Sequence, residues 1–403
     1  MAKTHFIAGI DIGSQNIKIL IAGRKPKGEK LEVIFQEEAP SVGVRKGVVV
    51  DAFGVSNNLR TLISKAREEL GIKIDSVYLS VNGSHIFSMP SRGTVSVSRA
   101  DQKISQEDIQ RVLQAAQTFS LSSNREIFDV LPKEFIVDGQ GGIKEAVGLQ
   151  GVRLEAEVLA LGGFSPYLKN LTQAVLDADL QILDMTPSPI AAARAVLTEK
   201  QKELGAAVLD IGAGTSGLAV FEEGDLINLT ILPVGSSNIT NDIAIGLKTD
   251  IDIAERIKIE YSHAIFSGSQ KREKIEIGEE EPLTFSHKFL SKIITLRVTE
   301  IFNEVNKELK KISREKLLPA GIVLTGGGAK LPKITDLAKK ELKLPAKIGK
   351  SREIEGLEED TSFAIAAGLI LLGSDWEGEI KTPAISGEEI GSKLKRIFKI
   401  FIP

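Results

Sequence analysis

Two segments about two hundred residues apart carry the residue types that phosphate binding requires. Phe6-Ile-Ala-Gly-Ile-Asp-Ile-Gly-Ser-Gln-Asn-Ile-Lys-Ile-Leu-Ile and Ala206-Ala-Val-Leu-Asp-Ile-Gly-Ala-Gly-Thr-Ser-Gly-Leu-Ala-Val-Phe each run from an apolar strand pattern into an Asp-x-Gly turn and out along a second strand. Backbone N–H groups can approach a phosphate oxygen only where glycine or small side chains line the turn. Gly13, Ser14, Gln15 and Asn16 supply the first such turn; Gly212, Ala213, Gly214 and Thr215 supply the second. Asp11 and Asp210, each two residues before a turn glycine, are placed to face a magnesium ion through water, since magnesium takes oxygen ligands and keeps several waters. Lys18, on the outgoing strand of the first hairpin, can add a charge-assisted bond to a phosphate. A third turn, Gly326-Gly327-Gly328, ends the apolar run 321–325 and offers a surface free of side chains to a base or ribose, with Lys330 just beyond. One Asp-x-Gly turn says little, but two alike in flank and turn, followed by a triple glycine, define a nucleotide clamp.

Other phosphate-binding patterns fit less well. Gly212-Ala-Gly-Thr-Ser-Gly217 matches G-x-G-x-x-G, yet that fingerprint needs a helix next, and Leu218-Ala-Val-Phe-Glu-Glu-Gly reads as a strand and turn. No G-x-x-x-x-G-K-[ST] occurs, which excludes a P-loop by the motif test. Lysine plus arginine (51) against aspartate plus glutamate (54) gives a net charge of -3, so no body-wide basic field points to nucleic acid, and none is expected as a partner. The absence of cysteine excludes disulfides and thiolate metal sites and fits a reducing compartment. His5, His85, His263 and His287 are far apart without ligand spacing, so structural roles are expected. The opening residues lack a signal-peptide pattern, and the longest apolar stretch, Phe363 to Gly373, is shorter than the ~18 residues of a spanning helix; neither export nor a membrane span is expected.

A clamp made from two sister turns needs two lobes, and 403 residues are roughly two to three times the usual single domain. The expected division is a first lobe in two parts, 1–83 and 163–200, interrupted by an inserted α/β subdomain at 84–162. That insert should hold a strand at Gly93–Ser98, a helix opening at Ser105 with Asp108 completing a variant capping box, and strands Phe128–Val137 and Arg153–Leu161 around a glycine-rich connection (Gly139, Gly141, Gly142). The second lobe, 201–373, should carry a helical subdomain at about 236–315, with helices from near Asn238, Asp250 and Ser286. A helix is expected to reopen at Leu331-Pro332, proline suiting its first position. Alanine-rich helices at Pro189–Leu197 and Ser362–Leu372 could cross closely as a hinge. Residues 374–391 turn acidic and read as a flexible linker.

The last segment, 392–403, is amphipathic. Leu394, Ile397, Phe398 and Phe401 fall at i, i+3, i+4 and i+7, with Lys393, Lys395, Arg396 and Lys399 mostly opposite. Such a helix suits an anionic lipid surface. Each buried large side chain yields at most ~1.5 to 3 kcal/mol and each cation about 1 kcal/mol, against the entropy of ordering a short helix. One tail should bind weakly, and an array of tails by effective concentration should bind well.

The two hairpins, the glycine turn and the paired alanine helices resemble the phosphate, adenosine and connecting motifs of the actin, sugar-kinase and heat-shock-chaperone superfamily. Asn124-Arg-Glu-Ile, Val130-Leu-Pro-Lys-Glu-Phe-Ile-Val-Asp-Gly and Gly148-Leu-Gln-Gly-Val-Arg-Leu-Glu-Ala resemble the inserted subdomain of the bacterial cell-division FtsA family; Leu232-Pro-Val-Gly-Ser-Ser-Asn-Ile-Thr-Asn-Asp-Ile-Ala and Ala254-Glu-Arg-Ile-Lys resemble its second lobe. The resemblance, over almost the whole chain, implies an α/β, bilobal, duplicated ribonuclease-H-like fold that binds ATP with magnesium. It implies polymerisation head to tail on the cytoplasmic face of the cell membrane at the division site, a tether for the tubulin-like protein FtsZ, and recruitment of later division proteins by the insert. It also implies that Glu255 and Lys258 touch ribose or base, that Gly235 lines the cleft, and that the FtsZ C-terminal peptide docks on the helical subdomain, where Arg297 is the chosen contact. Two departures stand out. Related filament ATPases often carry a water-orienting glutamate before Pro-x-Ala-x-Ala, where this chain has Ser188, so ATPase activity is expected to be weak or negligible. Ser236 replaces a second glycine common in the family. The rival readings are a small-molecule kinase of the same superfamily and another actin-like scaffold for pili or cell shape.

Overall fold

The structure is a computed structural model that describes residues 6–24, 30–118, 121–265, 272–277, 280–357 and 360–380. Its two large sheets are built alike. In the first lobe, strands Phe6–Ile12, Asn16–Arg24 and Leu31–Pro40 form an antiparallel meander, and Ser76–Val81 then Gln181–Pro187 add in parallel beside the first of them. In the second, Ala206–Ile211, Ser216–Glu222 and Asp225–Leu232 form the meander, with Ile322–Thr325 then Ala346–Ile348 added in parallel beside its first strand. Register matches too: Asp11 lies opposite Lys18, and Asp210 opposite Gly217. Ile7–Ile12 and Ala206–Ile211 are buried on both faces, which is why these strands read as continuous apolar runs rather than alternating ones.

The lobes differ in what hangs from this plan. Between meander and first parallel strand, the first lobe has one helix, Ala52–Leu70, whereas the second has helices Ser236–Leu247, Ile251–Tyr261 and His287–Lys311. After the first parallel strand, the first lobe instead carries its insert. There, strands lie in the order Phe87–Ser96, Arg153–Phe164, Arg125–Val137, Gln140–Ile143, with helix Gln106–Ala116 packed against them. Ser105 caps that helix with both arms of the capping box, Ser105 Oγ accepting from Asp108 N and Asp108 Oδ2 accepting from Ser105 N. The glycine-rich connection is itself a tight hairpin, its Asp138-Gly139 tip at φ +49° and +89°.

The alanine-rich helices span Ser188–Val196 and Ala364–Ile380 and cross at close range: a Cβ on Gly368 would lie 1.7 Å from the Ala191 carbonyl oxygen. The second of them runs past Gly373, so the acidic segment expected to begin as linker at 374 starts as helix. Tertiary partners hold it: Arg24 Nη2 donates to Ser374 Oγ at 2.7 Å and Arg194 Nε to Asp375 Oδ2 at 2.8 Å. Pro332 does not open a helix either. A 3-10 turn, Gly327–Lys330, comes first, Ala264 N–H donates to the Pro332 carbonyl, and Lys333 takes φ +63° before the helix Ile334–Leu342. Among the described residues no helix is long and apolar enough to cross a membrane. The tail residues Leu394, Lys395, Arg396, Ile397, Phe398, Lys399 and Phe401 lie outside the described residues, as does His5.

Candidate functional site

The two Asp-x-Gly turns close identically: Gly13 N–H donates to Asn16 O at 3.1 Å and Gly212 N–H to Thr215 O at 2.9 Å. They meet face to face, since a Cβ on Gly214 would lie 2.6 Å from Ser14 Oγ. Each is braced from behind. Gly47 N–H, at the tip of a small hairpin (Val44–Val49), donates to Ser14 Oγ at 2.8 Å, and Ser41 Oγ donates to Gly13 O at 2.6 Å. On the other side Ser236 N–H and Ser237 N–H donate to Gly212 O and Ala213 O at 2.8 and 2.9 Å. These bonds fix the shape of the two turns, and Gly13, Ser14, Gln15, Asn16, Gly212, Ala213 and Thr215 line the cleft between them.

That cleft has a volume of about 450 Å³, within the range of small-molecule sites. Asp11, Gly13, Ser14, Gln15, Asn16, Lys18, Asp210, Gly212, Ala213, Thr215, Glu255, Lys258, Gly326, Gly327 and Lys330 all line it, so residues read separately along the chain converge on one space. Gly214 and Gly235 do not line it. Gly214 is taken up in the contact with Ser14, and Gly235 packs on the Ala213 carbonyl as it leads into the helix from Ser236.

Asp11 and Asp210 lie at the cleft floor, 5% and 6% exposed. Burial pushes the Asp11 carboxyl above its ordinary range, partly offset by Lys18 and by the Ser80 hydroxyl, which donates to Asp11 Oδ1 at 2.7 Å. Burial, then the Asp11 charge, pushes Asp210 up to about 7. Two converging buried carboxylates compensated by one lysine suit a divalent cation, and among the described residues no cluster of three metal-ligating side chains occurs. A magnesium ion here would therefore be held by these two residues together with water and phosphate oxygens. Lys18 Nζ donates to the Ser362 carbonyl at 2.6 Å and lies 5.1 Å from the Phe363 ring centroid, which holds its charge at the cleft wall.

At the far end, Glu255, Lys258 and Thr240 form one knot. Glu255 Oε2 accepts from Thr240 Oγ1 at 2.5 Å and from Lys258 Nζ at 2.6 Å, and Lys258 also donates to Thr240 Oγ1 at 2.8 Å. The knot fixes both side chains on one helix face, beside Ile239, Ile259, Leu331 and Pro332, which give the cleft an apolar end fit for a planar base. Lys330 pairs with Asp360 at 2.8 Å. The sequence alone did not single out Glu38, Asn82, Ile239, Ile259 or Ser362; of these only Asn82 carried a signal, as the polar residue ending a buried strand. Arg297 is already engaged, 2.6 and 2.9 Å from the Asp242 oxygens and 2.6 Å from Glu300. Ser188, first residue of the helix Ser188–Val196, is buried with an unpartnered Oγ and is not among the cleft-lining residues. His85 accepts from Phe164 N–H, and His287 pairs with Glu273.

Two duplicated lobes pinching a cleft between sister turns define an actin-like protein, and the comparisons agree. The PilM–PilN type IV pilus biogenesis complex superposes with TM-score 0.65 at 16% identity, over 91% of this chain and 98% of that one. MreB5 of Spiroplasma citri bound to ADP gives 0.58 at 13%, over 94% and 99%. A model of "Cell division protein FtsA" matches residues 207–368, and one of the "SHS2 domain inserted in FTSA" matches 83–161. FtsA of Pseudomonas aeruginosa is 32% identical over 96% of this chain and 93% of that protein, and FtsA of Bacillus subtilis 34% identical over 98% and 88%. The chain belongs to the FtsA family of cell-division proteins.

Proposed function

We propose that this chain binds magnesium-ATP in the cleft, assembles with copies of itself on the cytoplasmic face of the cell membrane, and there anchors the FtsZ ring at the division site. The observation that carries the nucleotide half is the pair of identically closed turns meeting above Asp11 and Asp210. Turn N–H groups and Lys18 would take the phosphates, the two carboxylates the magnesium, and Glu255 with Lys258 the ribose or base. The likeness in fold to MreB 5 of Spiroplasma citri bound to AMPPNP supports the same reading. Ser188 stands where related filament ATPases often carry a water-orienting glutamate and it does not line the cleft, so slow hydrolysis is the expected outcome.

The membrane half rests on the amphipathic stripe of 392–403 and on family membership. Each tail grips weakly and assembly adds the grips together. An acidic FtsZ peptide would meet Arg297 beside the exposed Phe289 and Leu296, in exchange with Asp242. The insert would receive later division proteins. The test is calorimetry with magnesium-ATP on the intact chain, then co-sedimentation with anionic vesicles and purified FtsZ, with and without residues 392–403. No heat with the nucleotide would end the cleft reading; unchanged pelleting of the truncated chain would end the tail reading.

A further inference from the structure

Away from the cleft, the insert of the first lobe reaches the second lobe directly. Lys144 Nζ lies 2.7 Å from both Asp225 carboxylate oxygens and 2.8 Å from the Lys133 carbonyl oxygen. Asp225 opens the edge strand of the second-lobe sheet, and its side chain is only 7% exposed. Nearby, Ser88 Oγ, on the edge strand of the insert's sheet, donates to Leu229 O at a long 3.4 Å. The two edges belong to separate sheets, and between them runs a groove of about 440 Å³ lined by Pro90, Leu131, Leu159, Leu226 and Ile227. Around that groove Leu226, Leu229 and Ile231 belong to one buried apolar cluster with the insert's Leu131 and Val158, and the short ion pair is the charged fastening at its margin. Asp225 holds Lys144 firmly because a buried carboxylate without its cation is costly.

The insert is fastened stiffly to its own lobe. His85 Nδ1 accepts from Phe164 N–H at 3.2 Å, tying together the two chain crossings that lead into and out of it, and Tyr167 packs edge-on against both rings at 5.1 and 4.9 Å. The incoming crossing starts at Asn82, a cleft-lining residue whose Oδ1 accepts from Thr215 Oγ1 of the opposite lobe at 3.4 Å. With the insert fixed to one lobe and clasped to the other, the lobes cannot part unless the clasp lets go.

We propose that the Lys144–Asp225 pair is a latch between the insert and the second lobe, and that its opening gates entry and exit of the nucleotide; this rests on the nucleotide reading of the cleft. A ligand that binds the insert more tightly with the latch open would thereby speed exchange.

The test is stopped-flow binding and chase of a fluorescent magnesium-ATP analogue on the full chain. In Lys144→Ala and Asp225→Ala both association and dissociation should rise roughly threefold to tenfold, with Kd nearly unchanged, because a gate raises both rates together. The reversed pair, Lys144→Asp with Asp225→Lys, should return toward the unaltered rates. The chain has no cysteine, so Lys144→Cys with Asp225→Cys can be bridged by a short bismaleimide, which should slow both rates. Rates within twofold of the unaltered protein in both alanine variants, or dissociation rising alone, would overturn the latch while leaving the cleft reading intact. Failure of the unaltered protein to bind the analogue would overturn both.

Discussion

Asp210 gives the sharpest quantitative handle. A carboxyl moved from its ordinary value of 3.8 to about 7 by burial and by Asp11 costs roughly 4 kcal/mol more to deprotonate in the folded chain than in the unfolded one. The sign follows from proton counting. Between those two values the folded state holds a proton that the unfolded state has lost, so the contribution of Asp210 to metal-free stability is fullest below about 4, falls as pH rises, and levels off above about 7. Asp210→Asn removes the titrating group and so removes that loss. In the presence of a chelator, the variant should melt several degrees above the unaltered protein at pH 8, by at most about 4 kcal/mol, and by less than half that margin at pH 5. On the proposed reading of the cleft, the same variant should also bind magnesium-ATP far more weakly, because one of the two carboxylates that would face the cation is gone. Calorimetric melts at the two pH values, followed by titration with the nucleotide, read out both effects. If Asp210→Asn melts below the unaltered protein at pH 8, the strained-carboxylate argument is wrong.

Three further outcomes follow from other parts of the molecule. Gly368→Ala places a methyl group inside the van der Waals radius of the Ala191 carbonyl, so the two alanine-rich helices must separate; a loss of roughly 1 to 3 kcal/mol in melting is expected, and an unchanged midpoint would contradict the close crossing. Phe398→Glu with Phe401→Glu should abolish pelleting with anionic vesicles while leaving nucleotide binding untouched. Steady-state phosphate release should be slow, and brisk release that disappears in Asp11→Ala would refute the role given to Ser188.

The sheets and the insert were legible because their strands are apolar on both faces or end in turns whose residues leave little choice, as at Asp11-Ile12-Gly13 and Asp138-Gly139. The capping box at Ser105 and Asp108 is wholly local, and it formed as its spacing requires. Boundaries failed where distant partners decide. Nothing around Ser374 announces that Arg24 and Arg194 will draw the helix onward, and the Pro332 carbonyl is claimed by Ala264, some seventy residues earlier. Within the cleft, the turns carried their own signature. Glu38, Ile239 and Ile259 did not, since each is an ordinary strand or helix residue until folding brings it beside the other lobe.

The matched plan of the two lobes has an architectural consequence. The halves share strand order and the closure of each turn, while what differs grows from unlike positions: three helices ahead of one parallel strand in the second half, a whole α/β module behind its counterpart in the first. Outgrowths rooted at different rungs of the same ladder can lengthen or shrink without changing the strand order of either half. The twin frame thus carries unlike attachments on like strands, and one of them, the helix Ile251–Tyr261, reaches back to the cleft with Glu255 and Lys258.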